Sequence, residues 1–491
     1  MIMKTREELD VIAKGLRKDS YTMKERMAIP LQEMPVQKPE VRIHNMSEVA
    51  LGFTENQAIV EANRCLSCKN HPCIDGCPVR IDIPGFVGKV AVGDIKEAYS
   101  IISDSSLLPA ICGRVCPQEN QCQKFCTVGK ARKDVEQSVG IGRLERYVAD
   151  TMRAEGYDPL PSIAPPTGKK VAVVGSGPAS ISAAADLRKA GHDVYMFEAL
   201  HKGGGVLVYG IPEFRLPKKI VASELGKLEK MGVHIVTNFL VGRTMTLETM
   251  MKEEGFDAVF VGSGAGLPKL LGVPGENLVG VFSANEYLTR SNLMHSYDTE
   301  NALTPHIVSR KVAVFGGGNV AMDAARTALR LGALEVTIVY RRSEEELPAR
   351  REEIGHAKEE GVKFLLLHAP VSVEGDENGH VKGVILQTCE LGEPDASGRR
   401  SPVPIPGSEK FHEFDTVIPA IGNGSNPLIK MTTPAIETNR RGNFIVNEDT
   451  LETSIQGVFA GGDIVLGAAT VILAMGQGRK AAKAMNDYLA R

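Results

Sequence analysis

The chain has 491 residues, 43% of them hydrophobic, enough for roughly two to four domains with cores of ordinary size. Its 57 basic and 60 acidic side chains leave a formal charge of -3, so no bulk basic field exists to hold a nucleic acid by counterion release. The opening MIMKTREELDVIAKG lacks the apolar stretch of roughly 7 to 15 residues that a secretory signal needs, and no run approaches the ~18 residues of a membrane span, so a cytoplasmic protein without membrane insertion is expected.

Residues 1–44 are charged and aperiodic, and MAIPLQEMPVQKPE predicts an extended N-terminal arm. Residues 45–155 hold eight of the nine cysteines between predicted helices at FTENQAIVEANR and IGRLERYVADTMR. In a cytoplasmic chain such a concentration points to metal or redox chemistry rather than to disulfides. The spacing Cys65-x2-Cys68-x4-Cys73-x3-Cys77-Pro78 is that of an iron–sulfur run, in which three thiolates hold one cubane and the fourth, before proline, ligates another. Cys112, Cys116, Cys122 and Cys126 follow. Structural zinc is the competing reading, since Cys-x2-Cys also opens many zinc ribbons.

GYDPLPSIAPPTG, 156–168, predicts a linker. Two β-α-β units follow, KVAVVGSGPASISAAADLRKAGHDVYMFEA from 170 and KVAVFGGGNVAMDAARTALRLGALEVTIVYRR from 311. Each carries a dinucleotide fingerprint: Gly175 and Gly177, with Pro178, Ala179 and Ser180 opening the first helix, and Gly316 and Gly318, with Asn319, Val320 and Ala321 opening the second. The first glycine permits the tight turn, the second lets the backbone approach a pyrophosphate, and the helix N-terminus directs N–H groups at the phosphates.

The ends of the second strands differ. Glu198 can accept hydrogen bonds from ribose hydroxyls, as FAD or NAD requires, whereas the matching Tyr340 is followed by Arg341 and Arg342, which suit the 2′-phosphate of NADP(H). The alternative is that the arginines cap the strand in solvent. GVFAGGD, 457–463, is read as the return of the first unit, with Gly462 and Asp463 toward a flavin ribityl chain and the next helix, near Ala469 and Thr470, toward the ring. The expected fold is therefore α/β: an FAD-binding Rossmann-like domain, 169–305 and 421–491, with an NADP(H)-binding one, 306–420, inserted, both preceded by a mainly α-helical iron–sulfur domain. After residue 126 only Cys389 remains, so no dithiol is available to a flavin, and the N-terminal cysteines offer a one-electron outlet.

RCLSCKNHPCIDGCPVRIDIPGF, ICGRVCPQENQC, VAVVGSGPA, GGGVLVYGIPEFRLPK, VFVGSGAGLPK, FGGGNVAMDAAR, YRRSEEELPAR and FAGGD, in this order, resemble the small subunit of NADPH-dependent glutamate synthase and its relatives, from about residue 40 to the C-terminus. The relatives include the large subunit of NADH-dependent ferredoxin:NADP oxidoreductase. The resemblance implies two [4Fe–4S] clusters, one on Cys65, Cys68, Cys73 and Cys126, the other on Cys77, Cys116, Cys122 and Glu145, with Cys112 a spectator. The competing partition is two all-cysteine clusters that leave Glu145 as an ordinary helix residue. The resemblance also places Gly204, Gly205, Gly210, Ile211 and Pro212 along FAD and 262–266 between the nucleotide domains. Arg326 is expected either at the NADP phosphates or in a surface ion pair. The implied activity is hydride uptake from NADPH and electron delivery through FAD and the clusters to a flavin and iron–sulfur partner subunit. That partner is either the larger one that makes glutamate from 2-oxoglutarate and glutamine, or the smaller one of an electron-bifurcating ferredoxin-linked enzyme.

Overall fold

The computed structural model describes residues 12, 13, 15, 21–157 and 159–491, so most of positions 1–20 of the expected arm lie outside the described residues. The rest of the arm is only partly extended. Thr22 and Glu25 form a capping box that starts a helix at Met23–Ala28, and Pro39 opens the one-turn helix Pro39–Arg42.

The cysteine-rich segment is helical because its boundaries are well signalled. Thr54, Asp82 and Asp94 each accept a backbone N–H and cap the helices Glu55–Ala62, Ile83–Ala91 and Ile95–Ser105. Pro109–Val115 and Ile141–Ala154 pack on one another and complete the bundle. Its apolar faces share one core with the first nucleotide unit, where Phe86, Ile111 and Leu144 join Val171, Ile181 and Met475.

Two parallel sheets follow. The first runs Val458–Ala460, Ala258–Val261, Lys170–Val174, Asp193–Phe197, His234–Val236, so the C-terminal strand returns beside Ala258–Val261. The second runs Thr416–Pro419, Lys311–Phe315, Glu335–Tyr340, Lys363–Leu366. Both read as near-continuous buried apolar runs, as strands covered on two faces must. An antiparallel sheet of His368–Gly375, Val381–Pro394, Arg400–Pro404 and Lys410–Glu413 flanks the second.

The second unit begins earlier than residue 306. Val281 pairs with Val417, and Ala284 and Tyr287, from the helix Ala284–Asn292, share a core with Val312 and Met322. A two-stranded ribbon, Leu267–Pro268 with Asn423–Gly424, marks the crossing between the units.

Candidate functional site

The two fingerprint turns have the same local geometry. Gly175 adopts φ +88°, and a Cβ there would stand 2.6 Å from the Gly262 carbonyl oxygen; at Gly316, φ +141°, it would stand 2.4 Å from that of Ala420. Only glycine fits either turn. A Cβ at Gly177 or Gly318, in contrast, would meet nothing within 4 Å, so each second glycine faces open space at the N-terminus of a 12-residue helix. That is the approach a pyrophosphate requires.

A cleft of about 400 Å³ opens from the first turn. Gly175, Gly177, Pro178, Ala179, Glu198, Gly205, Gly210, Ile211, Gly462, Asp463, Ala469 and Thr470 line it, and Asn319 and Val320 reach it from the second unit. Gly204 and Pro212 are not on its wall; Gly204 donates its N–H to the Ser176 hydroxyl at 2.8 Å. Glu198 is buried and held by the N–H and hydroxyl of Ser176 and by the N–H of Leu200 at 2.8 Å. Burial pushes the Asp463 carboxyl up to about 6, partly offset by the Ala469 N–H it accepts at 3.1 Å. Burial, reinforced by the charges of Asp463 and Glu198, pushes the Tyr209 hydroxyl up to about 12 on the same wall. Tyr209 and Ser176 had no sequence signal beyond their place in glycine-rich loops.

At the second unit the two arginines part company. Arg341 is exposed. Arg342 is buried, paired with Asp395 at 2.6 Å, and donates to the Arg400 carbonyl at 2.7 Å. Arg326 is at neither expected place: it is fully buried, bonded to Glu353 and Glu360, with its guanidinium over the Phe214 ring. Arg215 completes this cluster through Asp323 at 2.7 Å and Glu353 at 3.2 Å, and Arg42 through Glu360 at 2.7 Å.

The eight clustered cysteines fall into two groups. Cys65, Cys68, Cys73 and Cys126 line one apolar cavity, and burial together with the neighbouring thiols pushes Cys73 up to about 12. The second group is Cys77, Cys112, Cys116 and Cys122, all buried, with Glu145 facing them from the helix Ile141–Ala154. Glu145 Oε1 is buried without a hydrogen-bond partner, and burial pushes its carboxyl up to about 8. An orphaned carboxylate oxygen among thiols is costly unless it has a ligand to bind. Among the described residues, no three His, Cys, Asp or Glu side chains meet as a single metal ion requires. The first four thiols are spread around a cavity instead, which suits a cubane with ligands at its corners. Cys112 touches Met475 at 3.5 Å, and the Cys116, Cys77 and Glu145 charges all push its thiol up, so it stands within the second group.

This second group abuts the cleft. Val115 and Pro117, flanking Cys116, are part of its wall, and Gln121, beside Cys122, donates to the Thr470 hydroxyl at 3.2 Å. Thr470 caps the helix Val471–Leu489.

A family model described as dihydropyrimidine dehydrogenase domain II, 4Fe-4S cluster, matches residues 42–157, and one described as pyridine nucleotide-disulphide oxidoreductase matches residues 169–478. The chain is 38% identical to the NADPH glutamate synthase small chain of Halomonas elongata over 93% of its length and 96% of that protein's. With the Escherichia coli small chain it shares 37%, over 94% and 98%. It is 39% identical to the NADP(+)-dependent formate dehydrogenase subunit beta of Moorella thermoacetica, covering 85% of this chain and 60% of that one. Among solved structures, Mycobacterium tuberculosis FprA in complex with NADPH superposes with a TM-score of 0.56 at 20% identity, over 67% of this chain and 85% of FprA, a likeness of fold. Among the described residues no helix is long and apolar enough to cross a membrane. The chain belongs to the family of the NADPH glutamate synthase small chain, and is an NADPH-dependent flavin and iron–sulfur oxidoreductase subunit.

Proposed function

We propose that this subunit takes reducing equivalents from NADPH and delivers them singly to a larger partner subunit of the glutamate synthase type, which makes glutamate from 2-oxoglutarate and glutamine. The observation that carries this reading is the contact of the second thiol group with the cleft, through Val115, Pro117 and the Gln121–Thr470 bond. The cleft suits FAD, with Gly175, Gly177, Pro178 and Ala179 toward the pyrophosphate, Glu198 toward the adenosine ribose, Gly205, Gly210 and Ile211 along its length, and Gly462 and Asp463 toward the ribityl chain. NADP(H) suits the second turn, at Gly316, Gly318, Asn319 and Val320. There Arg341, exposed at the strand end, is the residue for the 2′-phosphate, and Arg342 holds the neighbouring backbone from behind.

Cys65, Cys68, Cys73 and Cys126 are the ligands of one [4Fe–4S] cluster; Cys77, Cys116, Cys122 and Glu145 are those of a second, with Cys112 packed beside it on Met475. The unpartnered Glu145 oxygen favours this set over an all-cysteine one. When bound, the flavin accepts a hydride and the clusters carry single electrons. The chain's own part is to position these groups and exclude water, and the reaction needs no side-chain acid or base.

An anaerobic titration of the purified protein with NADPH and with NADH, followed by visible absorbance, low-temperature EPR and iron analysis, tests the reading. Flavin bleaching at lower NADPH than NADH, with about eight irons per chain, is expected. Zinc in place of iron overturns the cluster assignment, and equal response to NADH overturns the role of Arg341.

A further inference from the structure

We propose that Arg350 is a positioning residue for hydride transfer, which ties the second fingerprint turn to the opposite wall of the cleft. The proposal rests on the reading of the two turns as FAD and NADP(H) sites, and deepens it by naming the residue that sets their spacing.

Parts of the cleft wall come from distant stretches of the chain. Asn319 and Val320 reach it from the second nucleotide unit, and Val115 and Pro117 from the cysteine-rich segment. Arg350 bonds to both. Its backbone N–H donates to Asn319 Oδ1 at 2.9 Å, and the N–H of Ala349 donates to the Gly317 carbonyl at 3.2 Å. Its guanidinium donates to the Arg114 carbonyl at 2.8 Å and to Gln118 Oε1 at 3.0 Å. Arg114 precedes Val115 and Gln118 follows Pro117, so the cation grips that wall on either side of Cys116.

The grip is on a fixed partner. Gln118 is buried, its backbone N–H donates to the Cys116 carbonyl at 2.9 Å, and a Cβ at Gly142 would collide with its Nε2, so the helix Ile141–Ala154 closes over it. A second link nearby, Arg351 with Glu136 at 3.2 Å, has side chains 64% and 57% exposed, and an ion pair so exposed holds little. Arg350 is only 8% exposed. Glu352 lies 3.1 Å from its guanidinium and Glu119 3.8 Å, while its Nε makes no hydrogen bond among the described residues. Burying a guanidinium with one bond unmade is costly, and an apolar side chain would fill the same space. What the planar fork adds is two acceptors held at a set distance and angle.

The step served breaks the C4–H bond of the reduced nicotinamide and forms an N–H bond on the flavin, the proton moving with both electrons. Its rate depends on the approach of the two rings, and a misplacement of about 1 Å costs about 10²-fold.

The test uses the holoprotein and its Arg350→Ala, Arg350→Lys and Gln118→Ala variants, with the double variant of both alanines. Three quantities are measured: amide hydrogen exchange, the rate of flavin bleaching at saturating NADPH, and affinity for 2′-phospho-ADP-ribose, which carries the phosphates of NADP but no nicotinamide. In Arg350→Ala, exchange is expected to rise about tenfold in both 112–118 and 316–321, bleaching to slow about 10²-fold, and probe affinity to stay within about twofold. Arg350→Lys, which reaches one acceptor, should recover about tenfold of the rate, and the double variant should be no slower than Arg350→Ala. Where Arg350→Ala loses iron, Gln118→Ala carries the test, with the same changes at about tenfold in rate. Unchanged exchange and bleaching in both single variants, additive losses in the double variant, or a loss of probe affinity with the saturating rate intact overturns the proposal. Failure of NADPH to bleach the wild type counts against the proposed function, and exchange in the two segments then decides whether Arg350 ties them.

Discussion

At single residues the structure separates side chains that the sequence placed side by side. Glu145 and Cys112 both face the second thiol group, but only Glu145 has an oxygen buried without a partner, while Cys112 already packs on Met475. Iron analysis of two variants distinguishes them: Glu145→Ala is expected to retain about four irons per chain and Cys112→Ala about eight, and the reverse outcome exchanges their roles. Arg341 and Arg342 divide similarly. Loss of a charge-assisted contact to a phosphate is worth about 1.5–3 kcal/mol, so Arg341→Ser should raise KM for NADPH about tenfold or more, with kcat and the response to NADH little changed. Arg342→Ala should leave NADPH affinity nearer to wild type and lower the unfolding temperature, because it removes the pair with Asp395 and the bond to the Arg400 carbonyl. Thermal unfolding beside steady-state kinetics reads both.

At the level of elements, legibility followed the distance between interacting residues. The β-α-β units were readable because a buried apolar strand, a glycine turn and an alanine-rich helix lie in one stretch of about 30 residues, and each is a local choice. The grouping of Cys126 with Cys65, Cys68 and Cys73 is not contained in their spacing; it follows from how the segment Cys122–Thr127 folds back on the earlier loop, and only resemblance supplied it. The helix Ala284–Asn292 was assigned to the wrong side of the crossing because its own pattern says that it is amphipathic, not which sheet it covers. Least readable was the surrounding of Arg326. It sits on the helix Asn319–Arg330, but its partners Glu353 and Glu360 lie on and just after the helix Arg351–Glu359, and Arg42, 318 residues before Glu360, arrives from the arm. Removing one member of a buried ionic set leaves the others uncompensated, at a cost of about 3–5 kcal/mol. Arg326→Ala is therefore expected to lower the urea midpoint far more than Arg341→Ser does, although both arginines were candidates for the same phosphates.

Across the whole molecule that ionic set is a joint between three parts. Arg42 belongs to the arm, Arg215 to the first nucleotide unit beside the cleft, and Arg326, Glu353 and Glu360 to the second, so the set fixes the second fingerprint relative to the cleft that its Asn319 and Val320 enter. A joint made of charges depends on pH, and the sign follows from its acids. Burial alone pushes Glu353 up, but Arg215 and Arg326 outweigh it and hold the carboxyl at about 2, below its ordinary 4.5. A depressed carboxylate stabilises the fold fully above the unfolded value and loses that contribution as pH falls through the folded one, here from about 4.5 to about 2. Asp323 slopes the other way: burial pushes it up to about 6, so its ionisation opposes folding as pH rises from 3.8 through 6. Comparing wild type with Glu353→Gln reads the first effect net of Asp323, because the Glu353 charge helps to push the Asp323 carboxyl up and the substitution relieves it. At about 1.36 kcal/mol per pKa unit the depressed Glu353 carboxyl alone is worth on the order of 3 kcal/mol, so the variant should be less stable at pH 7 by up to about that amount, with the gap closing as pH falls from about 4.5 toward 2. Urea midpoints by circular dichroism across this range measure it. A gap that stays constant to pH 3 would mean that Glu353 is held by packing rather than by Arg215 and Arg326, and that the joint is not electrostatic.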